Sequence, residues 1–124
     1  MNPTEAAALK SELSHFTGTE AYHRWTVLSN DVLTDGAKYL AEKAGMFRLM
    51  DIVGSVRTKI LKEGFATVAL TLTPNGGGVV LIDDGNGRVI HRQGIPYTDA
   101  PFPQKLFVQP CDENRLCIML PSEY

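Results

Sequence analysis

The polar side chains that could do chemistry lie in short stretches rather than in one motif. The first stretch holds Tyr22, His23, Arg24 and Trp25, and Asp35 is the next polar candidate along the chain. A guanidinium beside a carboxylate can orient an anionic ligand, and a histidine can exchange a proton near neutral pH. The sequence therefore allows a small-molecule pocket, or an enzyme of unrecognised type, around His23, Arg24 and Asp35.

Three further polar side chains complete the set of candidate contacts for a ligand or a partner, namely Arg48, Tyr97 and Asp99. Some of the candidates also have a purely structural interpretation. Asp35 stands where a helix begins, and Asp99 stands in a turn before Pro101. These candidates form a binding pocket only if the fold brings them to one concave surface.

No recognisable catalytic or metal motif is present. The chain has no G-x-S-x-G elbow and no H-E-x-x-H pair. Cys111 lies in an acidic turn, which disfavours the thiolate, and Cys117 lies in an apolar strand. Two thiols and widely separated histidines are too few for a metal site. We therefore predict that the protein is not an enzyme and that it holds no metal and no cofactor.

Hydrophobic periodicity predicts the elements that must position these residues. Helical spacing, an Asn2 cap and Pro3 indicate a first helix, and Thr34 or Asp35 caps a second that Gly45 closes. Trp25 and Val27 alternate with polar neighbours, which indicates an extended segment. The predicted elements are an N-terminal helix (1–17), an extended segment (22–34), two helices (35–63) and an antiparallel sheet (65–120).

The fold class predicted from this order is α+β, in a single domain that spans residues 1–124. The runs from Asn75 to Gly78 and from Asp84 to Gly87 are typical of hairpin turns. Hairpins join neighbouring antiparallel strands, so we expect a meander of four to five strands. Two or three helices should pack on one face of this sheet.

Composition excludes several classes of function. The chain has 124 residues, a formal net charge of −2 and 44% hydrophobic residues. Such a balance makes direct nucleic-acid binding by bulk charge unlikely. No apolar run is long enough to span a membrane, and the first residues do not form a secretory signal. We therefore expect a cytoplasmic protein with no membrane partner and with both cysteines reduced.

The sequence resembles an uncharacterised family of small bacterial proteins, a domain of unknown function. The likeness covers residues 10–124 and rests on three blocks in order: F-T-G-T-E-x-Y, T-D-G-x-K-Y-L and a closing L-P-S-E-Y. This chain departs from the family at Leu33, where tyrosine is usual, and at Met46-Phe47-Arg48, where Ala-Tyr-Trp is usual. The resemblance implies occurrence on bacterial chromosomes, plasmids and phages, and it implies no catalytic residue.

Small size, the lack of catalytic motifs and this genomic scatter favour a non-catalytic accessory factor that binds a protein partner. One candidate for that partner is a second copy of the chain, which would make a homodimer. The narrower version is an inhibitor, of the phage type, that acts on a host defence system such as a CRISPR effector. Acidic residues in the second half of the chain could compete with nucleic acid for a basic groove. The alternative function is the small-molecule or enzymatic pocket around His23, Arg24 and Asp35.

Overall fold

The structure, a computed structural model, describes all 124 residues as four α-helices, seven β-strands and one terminal 3-10 turn. The helices are α1 (Pro3–Leu13), α2 (Asp35–Ala44), α3 (Phe47–Ser55) and α4 (Arg57–Glu63), and the 3-10 turn is Pro121–Glu123. The strands are β1 (His23–Arg24), β2 (Val32–Leu33), β3 (Ala66–Leu72), β4 (Gly78–Asp83), β5 (Val89–Ile95), β6 (Gln104–Asp112) and β7 (Arg115–Met119).

The ends of the helices follow local sequence signals. Asn2 accepts a hydrogen bond from the amide of Glu5 at 2.8 Å, and Thr34 rather than Asp35 caps α2 by accepting from the amide of Ala37. Gly45 ends α2 with a φ of 66°, a left-handed conformation that glycine adopts without steric cost. These capping predictions are confirmed.

The prediction of two helices over 35–63 is wrong by one, because the second predicted helix is broken at Val56. This residue has φ −115° and ψ 20°, and α4 begins directly after it. Gly54 and Ser55 precede the break, and the Ser55 hydroxyl donates to the Ile52 carbonyl at 2.6 Å. Such Gly/Ser pairs are common causes of helix kinks. The side chains of Val53 and Ile60 remain buried on the two sides of the break.

The sheet has seven strands in the order β1-β2-β7-β6-β3-β4-β5, more than the four to five predicted. The two additional strands come from the extended segment at 22–34, of which only two short pieces pair with the sheet. Val32 and Leu33 run parallel to β7, opposite Cys117 and Ile118, whereas the other strand pairs are antiparallel. Parallel pairing needs a long connection, which hairpin signals cannot reveal.

The predicted simple meander is also wrong at one connection. β3, β4 and β5 are joined by hairpins, but β6 returns to pair with the far side of β3. The loop of residues 96–103 makes this crossing, and it buries Phe102 in the core. Strand β5 is therefore left at the edge of the sheet.

The main core lies between the helices and one face of the sheet, as predicted. Its fully buried members come from both layers, among them Leu40, Met50, Ile60, Val68 and Leu106. A smaller cluster of Val32, Cys117 and Met119 lies apart from this core, with Phe107 packed against it. None of the helices is both long and apolar enough to cross a lipid bilayer.

Candidate functional site

The structure separates the eight predicted contact residues into three places. His23 and Asp35 meet at the beginning of α2, with Tyr22 exposed nearby along the chain. Arg24 ends β1 and Trp25 begins the connection to β2, and Arg48, Tyr97 and Asp99 form a third group. The alternative of a pocket around His23, Arg24 and Asp35 requires these side chains to converge, and they do not, because Arg24 hydrogen-bonds elsewhere.

Both carboxylate oxygens of Asp35 are used at the start of α2. His23 Nε2 donates to Oδ1 at 2.7 Å, and the amide of Glu20 donates to Oδ2 at 2.9 Å. The Asp35 amide in turn donates to Thr19 Oγ1 at 2.9 Å. The hydrogen bonds from His23 and then from Glu20 hold the pKa of Asp35 below its ordinary value. The pair therefore fastens the chain before β1 to the beginning of α2.

Glu123 has a central position beside the start of α2, and its residue type and spacing did not predict this. Its carboxylate accepts from the Thr34 hydroxyl at 2.6 Å, from the Gly36 amide at 3.0 Å and from the Leu120 amide at 3.0 Å. A side chain at Gly36 is excluded, since its Cβ would lie 2.6 Å from Glu123 Oε1. The only sequence signal was an acidic residue in a short terminal block, which carries no information about its distant partner. Glu123 thus joins the C-terminal segment to the segment at residues 34–36, at one helix end.

A cleft of about 340 Å3 lies beside this helix end, lined by Thr19, Tyr22, Thr34, Gln109, Cys111, Cys117, Met119, Glu123 and Tyr124. Its residues do not assemble a nucleophile with a base. Burial raises the pKa of the Cys117 thiol to about 12, which keeps that thiol protonated at neutral pH. The exposed Cys111 thiol donates to the Arg115 carbonyl at 3.4 Å. No three His, Cys, Asp or Glu side chains are grouped so that they could hold a metal ion.

Residues 25–30, which we call the 25–30 loop, connect β1 to β2. At its first end, Trp25 Nε1 donates to Asp51 Oδ1 on α3 at 3.0 Å. The guanidinium of Arg24 donates across the loop to the carbonyl of Ser29 at 3.2 Å and weakly to that of Thr26 at 3.5 Å. The side chain of Arg24 therefore braces the loop and is not available to a pocket beside Asp35.

The second end of the loop is held by Asp31, whose side chain is buried. Arg57 Nε and Nη2 donate to its two carboxylate oxygens at 2.9 and 2.8 Å, and the Leu116 amide donates at 2.9 Å. Burial alone would raise the pKa of Asp31. The bonds from Arg57 and Leu116 and the charge of Arg57 outweigh it, so that this pKa lies below its usual value. Both ends of the 25–30 loop are therefore fixed to the body.

Between these fixed ends the loop exposes two aliphatic side chains to solvent, Val27 with 93% and Leu28 with 91% of its surface accessible. The predicted alternation of Trp25 and Val27 in one strand is wrong, since β1 ends at Arg24. An adjoining cleft of about 380 Å3 separates the loop from α3, with Trp25, Leu28 and Gly54 among its walls. The alternating pattern that predicted a strand concealed this exposed pair from the sequence analysis.

The third group lies where the 96–103 loop meets α3. Arg48 Nη1 donates to the Tyr97 carbonyl at 3.4 Å, and the Tyr97 hydroxyl donates to Asp99. Asp99 is therefore paired within its own loop, and the hydrogen bond from Tyr97 to Asp99 raises the pKa of the tyrosine hydroxyl. These contacts tie down the crossing loop and do not form part of either cleft.

Known proteins are similar to this chain in family and in fold. The model of a protein family described as a family of unknown function (DUF6876) matches residues 7–124. A crystal structure of a protein of unknown function from Enterococcus faecalis is similar, with a TM-score of 0.56 and 20% sequence identity over 84% of this chain and 98% of that one. At that identity the similarity concerns the fold alone. No curated protein matches the chain.

Proposed function

This chain belongs to the family of unknown function DUF6876, and we propose that it is a non-catalytic accessory factor that binds a partner protein through the 25–30 loop. The observation that carries the proposal is the near-complete exposure of Val27 and Leu28 on a loop whose two ends are fixed. Exposed neighbouring apolar side chains beside a cleft are typical of a protein–protein contact.

The energetics of the loop favour binding. Burying a valine or leucine side chain contributes roughly 1.5–3 kcal/mol, which is available only when a partner covers it. A loop already held by Asp51 and Asp31 loses little further conformational freedom on binding, and such preorganisation increases affinity. The Trp25 side chain beside the tip offers an aromatic anchor of the kind found in interface hot spots.

The arrangement of polar groups supports a binding protein over a small-molecule pocket or enzyme. His23 is hydrogen-bonded to Asp35, which also contacts the Glu20 amide and the Thr19 hydroxyl. Arg24 is hydrogen-bonded within the 25–30 loop. A general acid or base needs a free position beside a substrate. The polar candidates of this chain instead stabilise local structure.

The wild-type protein first serves as bait to capture a partner from the native host, and that partner is purified. The affinity of the purified partner is then measured for the wild type and for the double variant V27S/L28S. We expect the affinity for that partner to fall about 100-fold or more, since two side chains that each contribute roughly 1.5–3 kcal/mol are lost. The thermal stability should remain unchanged, because neither side chain is packed. The variant L72S is the control, since Leu72 is also exposed at 37% but lies at the end of β3.

Equal partner affinity for V27S/L28S and the wild type would contradict the proposal, as would failure to capture any partner. Light scattering after size exclusion identifies the case in which the partner is a second copy: the wild type would then be a dimer and the double variant a monomer. The narrower proposal, inhibition of a host defence effector, depends on the identity of the captured protein and on loss of that effector's activity on addition of wild type but not of V27S/L28S.

A further inference from the structure

The face of the sheet that points away from the helices, which we call the open face, carries more apolar surface than a solvated sheet needs. Antiparallel sheets with one wet face normally alternate apolar and polar residues. Here Ala69, Val79 and Leu81 lie on the open face beside Thr71, and they surround a shallow hollow of about 420 Å3. This hollow is on the opposite side of the sheet from the main core.

Two cations stand at the ends of a single row across four strands, with Arg92 lining the hollow and Lys105 one strand beyond it. Leu81 on β4 is opposite Ala69 on β3, Arg92 on β5 is opposite Leu81, and Lys105 on β6 is opposite Ala69. Arg92 and Lys105 are exposed, and neither forms an ion pair or a side-chain hydrogen bond within the chain. The row therefore consists of two aliphatic side chains, Leu81 and Ala69, with one cation at each end.

The acidic residue nearest to this row in the sheet register is Asp83, which precedes the turn into β5. Its Oδ1 accepts from the Gly85 amide at 2.7 Å, so the carboxylate stabilises the β4–β5 turn. Neither Arg92 nor Lys105 forms an ion pair with Asp83 or with another acidic residue, and the charge of the row is positive although the net charge of the whole chain is −2. The positive charge of the row favours a binding partner with acidic side chains.

The width of the row matches one secondary-structure element. Three strand spacings of about 4.8 Å separate the backbones of Arg92 and Lys105 by roughly 14 Å. A helix with its side chains is about 10–12 Å wide, so one helix lying along β3 and β4 fits between the two cations. We propose that the open face binds an amphipathic helix of a partner protein, with its apolar stripe on Ala69 and Leu81 and acidic residues on both flanks towards Arg92 and Lys105.

Other occupants fit these observations less well. Two copies meeting through their open faces would bring two pairs of unpaired cations together, which is unfavourable between like charges. Nucleic acid is bound through many cations and stacking aromatic side chains. Only two cations stand in this row, and four of the six residues that line the hollow are aliphatic. The surface is also separate from the 25–30 loop, so its test does not depend on the function proposed above.

The experiment uses two labelled 18-residue helical peptides with one shared Leu/Ala stripe, one with glutamate and the other with lysine on both flanks. Fluorescence anisotropy measures their binding to the full chain at low and at physiological salt. We expect the glutamate peptide to bind about 10-fold more tightly, because two partly exposed ion pairs contribute a few-fold each. This preference should shrink as salt is added.

Charge reversal at the row provides the decisive comparison. In R92E/K105E the preference should invert in favour of the lysine peptide. The control K10E/K59E changes the net charge equally at two exposed lysines outside the open face and should keep the glutamate preference. Circular dichroism confirms that each variant is folded.

Three results would overturn the proposal. The first is no measurable binding of the glutamate peptide, and the second is that R92E/K105E still prefers the glutamate peptide to the lysine peptide. The third is that an 18-nucleotide single-stranded DNA binds the wild type as tightly as the glutamate peptide does and no longer binds R92E/K105E. The last result would assign the row to a general anion surface.

Discussion

Replacing Glu123 by alanine removes the acceptor that joins the terminal 3-10 turn to the beginning of α2. Three donors lose their partner, namely the Thr34 hydroxyl, the Gly36 amide and the Leu120 amide. Thr34 and Gly36 are buried, so water replaces the carboxylate poorly. An unpaired buried donor costs about 1–3 kcal/mol, so the free energy of unfolding should fall by about 2–4 kcal/mol.

The assay is urea denaturation followed by circular dichroism and by the fluorescence of Trp25, the single tryptophan. The expected loss corresponds to a decrease of roughly 10 °C in the melting temperature. Glu113→Ala is the matched control, because Glu113 is exposed in the β6–β7 turn and makes no side-chain hydrogen bond or ion pair. We expect the control to change stability by less than about 0.5 kcal/mol.

A double-mutant cycle with Gly36→Ala tests the contact itself. The new Cβ would lie 2.6 Å from Glu123 Oε1 and also 2.6 Å from Leu120 Cδ1. In the E123A background the contacts with the Glu123 carboxylate are gone and only that with Leu120 remains, so G36A should cost less there than in the wild type. A loss below 1 kcal/mol for E123A, or additive effects of E123A and G36A, would refute the role assigned to this carboxylate.

Two further predictions concern the buried ion pair and the thiols. Asp31→Asn leaves the Arg57 guanidinium without its counterion and should lower the free energy of unfolding by about 2–4 kcal/mol in urea titrations, because one partner of a buried pair is lost. The folded-state pKa of Asp31 is depressed, so its contribution to the stability of the fold is present above the unfolded pKa of about 3.9 and is lost as the pH falls towards the folded value. Stability should thus decline less steeply below about pH 4 in D31N than in the wild type, and equal slopes would contradict this assignment. For the thiols, Cys111 is exposed whereas burial raises the pKa of Cys117 to about 12, so a disulfide reagent such as DTNB should modify one thiol in the native protein and two after unfolding. Fast modification of a thiol in native C111S would refute the assignment of Cys117 as the protected thiol.

Much of the fold was accessible from the sequence because its signals are local. Asn2 and Thr34 cap helices through bonds that reach only three residues along the chain. Gly45 and Gly64 end helices in the left-handed region, and Asp84 closes its turn through the Asn86 amide. Caps and turns depend on a residue and its immediate neighbours, so their residue types predict them well.

The candidate site was less predictable, because exposure depends on where the chain runs. Val27 satisfied the same alternation as a buried strand residue, yet the strand ends at Arg24 and leaves Val27 in solvent. Arg24 and Asp35 have the residue types of an anion site, but they face different partners. Periodicity states which residues share a face, and it does not state whether anything covers that face.

The amino-acid sequence by itself determined the α+β class, the order of its helices and long strands, and the start and end of most of them, since each follows from contacts within a few residues. Only the tertiary structure decided that β6 crosses to β3, that β2 runs parallel to β7, and that Glu123 binds the start of α2. These choices join residues tens of positions apart. Such long-range pairings depend on which apolar faces can be buried and which polar groups can be hydrogen-bonded at the same time, and no short stretch of sequence contains that information.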